Sequence, residues 1–348
     1  MFFENTRCVR CNYTLAYVPE LARVAALEEV AEGIWRTPSD GARYRLCDNY
    51  RLENVCNWAV PAASPERLCG SCRLTTVVPN LEMPGHREAW FKLEAAKRRL
   101  LYTLAQLGCP LRTKAEDPEH GLEYRLLASE PGSGPVLTGH ADGTITVNVD
   151  EADDAKRERQ RMRLHEPYRT LLGHFRHESG HYFWDRLVAG DDARLEGFRA
   201  LFGDERADYA TALERHYSAG PPVDWQERFI SSYAAAHPWE DWAESWAHYL
   251  HMTDMLETAD ESGLLLRPKR RDEPSLPAAA SAAVTPAAAF ESLLERWFPL
   301  TYVLNNLNRS MGLPDGYPFV LSTPVIAKLR AVHETLAAAH FQGLPVTG

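Results

Sequence analysis

Over residues 86–107, HREAWFKLEAAKRRLLYTLAQL, apolar side chains return at Trp90, Leu93, Leu100, Leu104 and Leu107, with Glu88, Lys92, Arg98 and Arg99 between them. A period near 3.6 predicts a surface helix with one buried stripe and charged residues facing water. Residues 1 to about 80 show no such period, so a small, loop-rich module is expected there. After the helix, EYRLLAS from 123, PVLTGH from 135 and TITVNV from 144 are short extended segments divided by Gly, Pro and Asp, which predicts a small twisted sheet. The helical period then returns. An acidic start near 151 leads into an Arg-rich helix, Pro167 separates it from a second, and further helices are expected in DERADYATALERHYSAG from 204 and in the segment from Trp225 to Ala259, where Pro238 opens a helix. Residues 260–288, rich in Pro, Ala and charge, predict a flexible insertion, and two helices joined by a turn follow it. The expected organisation is a cysteine-rich module over 1–80 and a mostly helical domain with a small sheet over 81–348, α+β in class.

Charge narrows the functions open to such a chain. Of its 348 residues 48 are acidic and 38 basic, a formal net charge of -10, which disfavours general attraction to a nucleic acid. The first residues, MFFENTRCVRCNYT, carry no basic stretch followed by an apolar segment, and nowhere do about 18 apolar residues run together. A cytoplasmic protein without a membrane partner is expected.

The helix after Pro167 holds the densest chemistry. In YRTLLGHFRHESGHYFWDRLV, from residue 168, His177 and His181 stand four apart, so they share one helix face and can converge on one ion. Glu178 sits one position round from the first histidine, where it can reach a water on that ion without being a ligand. Leu171, Leu172, Phe175, Phe183, Trp184 and Leu187 frame these groups, and ionisable side chains on so apolar a helix are costly unless paired or metal-bound. The pattern is the HExxH of zincins, in which Glu178 is the general base on a metal-activated water. Histidine with carboxylate suits zinc. Trp184 and Leu187 stand where the metzincin extension needs Gly and His, which excludes that class. His174 reads as a neighbouring or core residue.

A third ligand is expected from HPWEDWAESWAHYLH, beginning at His237, where Glu240, Glu244, His248 and His251 recur at helical spacing among three tryptophans. Glu240 is the favoured ligand, with Glu244 supporting a ligand histidine; the competing register makes Glu244 the ligand. A donor for the oxyanion is expected among Tyr233, His216, Tyr217, His237 and His248, with Tyr233 carried as the catalytic candidate. TITVNV is expected as a sheet edge able to pair with an extended peptide substrate.

Seven cysteines stand at 8, 11, 47, 56, 69, 72 and 109. The two CxxC knuckles, Cys8–Cys11 and Cys69–Cys72, predict a four-thiolate structural zinc site; Cys47 and Cys56 in place of one knuckle are the alternative. Cys109 reads as a core thiol. Arginines near the cysteines are not interleaved with aromatics suited to base stacking, so the module is expected to dock a protein partner rather than nucleic acid.

FEN with CVRC, CNW, CRLTTVVPNL, EPYRTLLGHFRHESGHYFWDRLV, FGDERADYATALERHY, SSYAAAHPWEDWAESWAHYLHMTDMLETA and NNLNRSMGLPDGYPF together span nearly the whole chain outside 260–288. In these stretches the chain resembles a bacterial family of predicted zinc-binding metallopeptidases with an N-terminal zinc ribbon. The resemblance implies a gluzincin-like peptidase fold and hydrolysis of peptide or isopeptide-like amide bonds in a peptide or protein substrate. It also implies His177 and His181 as zinc ligands, Glu178 as base and a glutamate of HPWEDWAE completing the site. The expected cofactors are a catalytic and a structural Zn2+. The alternative is a noncatalytic zinc-dependent module that binds protein or nucleic acid through a degenerate cleft.

Overall fold

The computed structural model describes residues 2–38, 41–129, 134–164, 166–270, 272–276 and 286–341. Within them the chain forms two compact units: residues up to 102 with 110–158, and residues 103–109 with those from 159 onward.

The first unit opens with an antiparallel meander of β1 (Thr14–Val18), β2 (Arg23–Ala31), β3 (Ile34–Arg36), β4 (Arg43–Leu46) and β5 (Ala59–Pro61), in that order. This region was expected to be loop-rich. β2 reads RVAALEEVA, whose Ala, Leu and Glu favour helices, but pairing with β1 and burial of Ala25 and Leu27 override that preference. Ala16, Val18, Tyr44 and Ala59 complete the small core on that face. On the other face Tyr17 packs against Trp58, with ring centroids 4.6 Å apart. Two single turns, α1 (Asp48–Arg51) and α2 (Gly70–Arg73), follow cysteines that occupy their N-cap positions.

A second sheet has the order β6 (Thr75–Val77), β7 (Glu123–Leu127), β9 (Thr144–Asn148), β8 (Gly139–Ala141). Only the last two residues of PVLTGH are strand. Asp142 and Gly143, both at positive φ, form the tight turn that folds β8 back along β9. β9 is therefore an interior strand, not the free edge expected of TITVNV. The parallel pairing of β6 with β7 also ties the end of the cysteine-rich segment to residues beyond 120, so the compact units do not divide at residue 80. Helix α3 (His86–Gln106) buries Trp90, Leu93, Leu100 and Leu104 as its period predicts. Arg98, expected to face water, is instead buried and donates to the Val55 carbonyl at 2.6 Å. Helix α4 (Asp154–Arg163) follows.

The second unit is helical: α5 (Leu171–Leu187), α6 (Asp192–Phe202), α7 (Tyr209–Ala219), the single turn α8 (Trp225–Arg228), α9 (Pro238–Glu261), α10 (Phe290–Ser310) and α11 (Thr323–Phe341). Starts are set by local chemistry. The side chains of Thr170, Asp191 and Asp208 accept backbone N–H groups at the heads of α5, α6 and α7. His237 caps α9, with Pro238 at the first helical position. Of the expected insertion, residues 260 and 261 belong to α9, Leu266 pairs with Leu276, and 271 and 277–285 lie outside the described residues. No helix among the described residues is long and apolar enough to cross a membrane.

Helices α5 and α9 cross at Gly180. A Cβ there would lie 2.9 Å from the Ala243 Cα and 3.2 Å from the Trp246 Cβ. The Trp242 indole donates to the Gly180 carbonyl, and the Trp246 indole to the Ser179 hydroxyl, each at 3.0 Å. Substituting Gly180→Ala forces the helices apart and is expected to cost about 1–3 kcal/mol, as overpacking of a close core contact does. Urea unfolding measures this as a lowered midpoint at unchanged slope; an unchanged midpoint would show that the crossing tolerates a methyl group.

Candidate metal centres

The α5–α9 crossing brings His177, His181 and Glu240 together. His181 Nε2 lies 3.2 Å from His177 Nε2 and 3.6 Å from Glu240 Oε1, while His177 Nε2 lies 3.0 Å from Glu240 Oε2. A tetrahedral zinc ion with bonds near 2.0–2.1 Å sets its ligand atoms about 3.3 Å apart, so the three atoms have the spacing of one face of such a site. Glu244 stands behind His177, accepting from Nδ1 at 2.7 Å. That bond fixes the tautomer, and Nε2 then presents a lone pair. Two imidazole Nε2 atoms in contact, with a carboxylate that is 1% exposed, call for a cation between them. Without one, the site balances on protons. Burial opposes the imidazolium of His177, but Glu240 and Glu244 outweigh it and hold its pKa well above the usual value. Glu240, despite burial that pushes the other way, is held well below the carboxylate range by the two histidines.

Glu178 is buried next to His177, outside the three converging groups. Two tyrosines frame the site. The Tyr233 ring lies 5.9 Å from that of His177, and Tyr209, from α7, donates its hydroxyl to Glu240 Oε1 at 2.5 Å. Burial raises both phenols, and the negative charges of Glu240 and Glu178 add to it.

In the first unit Cys47, Cys56, Cys69 and Cys72 converge, all buried, with their sulfurs within 4.8 Å of one another. Cys69 and Cys72 donate backbone N–H groups to the sulfurs of Cys47 and Cys69 at 3.3 and 3.5 Å. Four buried thiols with N–H donors fit one tetrahedral zinc held by thiolates. Of the two cysteine sets open from the sequence, the two CxxC knuckles or one knuckle with Cys47 and Cys56, the structure gathers the second. Cys8 is half-buried and Cys11 exposed, and neither belongs to the cluster. The physical reason is the β4–β5 pairing, which sets Leu46 opposite Ala59 and so brings Cys47 and Cys56 to the same end of a hairpin. Cys109 is buried, which pushes its thiol up to about 12.

Residues 86–335 match the family described as "putative zinc-binding metallo-peptidase", and residues 1–83 match a zinc-ribbon domain. The chain belongs to this metallopeptidase family. It is 44% identical over 331 residues to proteins of Mycobacterium tuberculosis and Mycobacterium bovis named only as uncharacterised, which covers 95% of this chain and 90% of each relative. No solved structure gives a significant match. Zinc binding is part of the family's description, and both clusters offer the donors for it.

Other expected residues fall elsewhere. His237 is occupied as the cap of α9, accepting from Trp239 N and bonding the Ala207 carbonyl. His248 is buried against Tyr317, its Nδ1 2.9 Å from the hydroxyl, and burial lowers its pKa to about 4. His216 packs on Tyr233, and Tyr217 is exposed. His174 is not among the converging groups. Sequence reasoning missed Tyr209. It lies one position after the Asp208 cap of α7, a detail that predicts a helix start but not which way the phenol turns. If the cysteine cluster holds zinc, Cys47→Ser should lose about one equivalent of metal and the double change Cys8→Ser with Cys11→Ser none. Elemental analysis of the purified proteins reads both, and the reverse pattern would restore the two-knuckle site.

Proposed function

We propose that the chain is a zinc-dependent peptidase of Glu-zincin type, hydrolysing peptide or isopeptide-like amide bonds, with His177, His181 and Glu240 as the ligands of its catalytic zinc. The carrying observation is the convergence of two imidazole Nε2 atoms and one buried carboxylate from two helices, with a second carboxylate, Glu244, orienting a ligand histidine. A zinc ion held there supplies Lewis acidity toward a carbonyl and a water. Glu178, which is not a ligand, accepts the proton of the attacking water and returns it to the departing amine. Its burial suits that exchange, because a carboxylate shielded from solvent exchanges protons with the groups it faces. Tyr233 beside His177 is the donor for the oxygen that gains charge on attack, and its neutral phenol can donate throughout the working pH range. A purely structural three-ligand site would not need a third acid, Glu178, beside Glu240 and Glu244. The four cysteines hold a structural zinc that stiffens the first unit, which serves for docking a protein.

The test is Glu178→Gln, which keeps size and hydrogen bonding but cannot take a proton. Zinc content should match wild type while hydrolysis of an unstructured protein such as casein, or of a mixed peptide library, falls by about 10²–10⁴. Glu178→Gln protein that hydrolyses as fast as wild type would rule out this residue as the base.

A further inference from the structure

Beside the metal ligands lies a cavity of about 290 Å³ lined by Trp184, Glu205, Tyr209, His237 and Trp239. Four of its five walls are aromatic rings. Trp239 meets Trp184 at 74° and Tyr209 at 77°, and Tyr209 meets His237 at 80°, so neighbouring walls stand nearly at right angles. The indole nitrogens of Trp184 and Trp239 are buried, so the surface these residues offer to a guest is ring carbon. The fifth wall is a carboxylate. The Arg199 fork engages both oxygens of Glu205, Nε donating at 3.2 Å to Oε1 and 3.0 Å to Oε2 and Nη2 also donating to Oε1, but a carboxylate has about four acceptor positions and two donor groups do not fill them. No lining residue is a cation. The His237 Nδ1 is occupied as acceptor of the Trp239 backbone N–H.

Aromatic faces carry negative quadrupole charge, and rings boxed around a carboxylate attract a cation with an apolar stem. We propose that this cage is a subsite for a basic side chain, lysine or arginine, of the polypeptide whose amide bond lies at the metal centre. Its placement in catalysis rests on the peptidase reading; its binding chemistry does not. Two walls are shared with the centre: the Trp239 ring lies 4.3 Å from that of His181, and Tyr209 donates to Glu240. A side chain seated in the cage is therefore held next to the ligands by the same residues that touch them. The volume suits a long side chain, and an uncharged guest of the same length would gain the burial but not the cation–π and carboxylate contacts.

N-acetyl-lysinamide and N-acetyl-norleucinamide, which keeps the four side-chain carbons and lacks only the terminal ammonium, measure what the ammonium contributes. Titrated into the zinc-loaded full chain and followed by tryptophan fluorescence, the lysine amide is expected to bind about tenfold more tightly than the norleucine amide, the size of a shielded cation–π contact. Trp184→Leu and Glu205→Gln should each erase most of that preference, in protein whose zinc content and unfolding midpoint match wild type. Equal or tighter binding of the norleucine amide, a preference that survives both substitutions, or no binding of either amide up to 50 mM (about the weakest affinity a single seated side chain would show) would overturn the proposal. Cleavage sites in a peptide library should be enriched in Lys and Arg on one side of the broken bond, and cleavage without that enrichment would also overturn it. A protein that prefers the lysine amide yet hydrolyses nothing would support the cage and contradict the peptidase reading.

Discussion

The site depends on a contact between two helix backbones. At Gly180 α5 comes so close to Ala243 of α9 that no side chain fits between them, and two indole N–H groups of α9 are bonded to the turn of α5 that contains it. Gly180 is also the residue before His181. The separation of the helices, and with it the separation of the ligand nitrogens from Glu240, is thus set by a glycine inside the motif itself. The stacking of Trp246 on Phe183, with centroids 5.0 Å apart, extends this contact one turn further. Since a close-packed interior yields little to pressure from one methyl group, the ligand spacing is a property of the core and not of flexible side chains.

Electrostatics then explain why so many acids sit on one buried helix. Glu240 and Glu244 both reach His177, one to each ring nitrogen. The next residue after Glu240, Asp241, turns the other way and is paired with Lys328 of α11 at 2.5 Å; burial pushes its carboxyl up to about 7 while Lys328 pulls it back. The Lys328 ammonium also lies 4.2 Å from the Phe229 ring centroid. Glu240, Glu244 and Asp241 of α9 therefore each face an imidazole or an ammonium across the helix packing.

Much of this was legible in the sequence because it follows from helical period and capping. The four-residue spacings of His177 with His181 and of Glu240 with Glu244 put each pair on one face, and Pro238 after His237 marked the start of α9. His248 shows the limit of the same reasoning. Eight residues after Glu240 the helix has turned by about 80° from that face, and there His248 meets Tyr317, which spacing along the chain cannot anticipate. Local signals also misled. The CxxC at Cys8 and Cys11 is as good a pattern as the one at Cys69, but strand pairing, which depends on distant residues, decided which cysteines meet. The strands of the first unit were hidden for a related reason, as in β2, where residues with helical preference are held extended by their neighbours. Tyr209 and the walls of the cavity come from three separate segments, and no linear pattern connects them.

The central claim is that a zinc ion lies between α5 and α9 in a nitrogen and oxygen environment. X-ray absorption at the zinc edge, on wild type and on His177→Ala checked for folding, tests it most directly. The account predicts about two zinc ions in wild type, with sulfur scattering near 2.3 Å together with nitrogen and oxygen near 2.0–2.1 Å, and sulfur scattering alone in the variant. Sulfur alone in both proteins would contradict it.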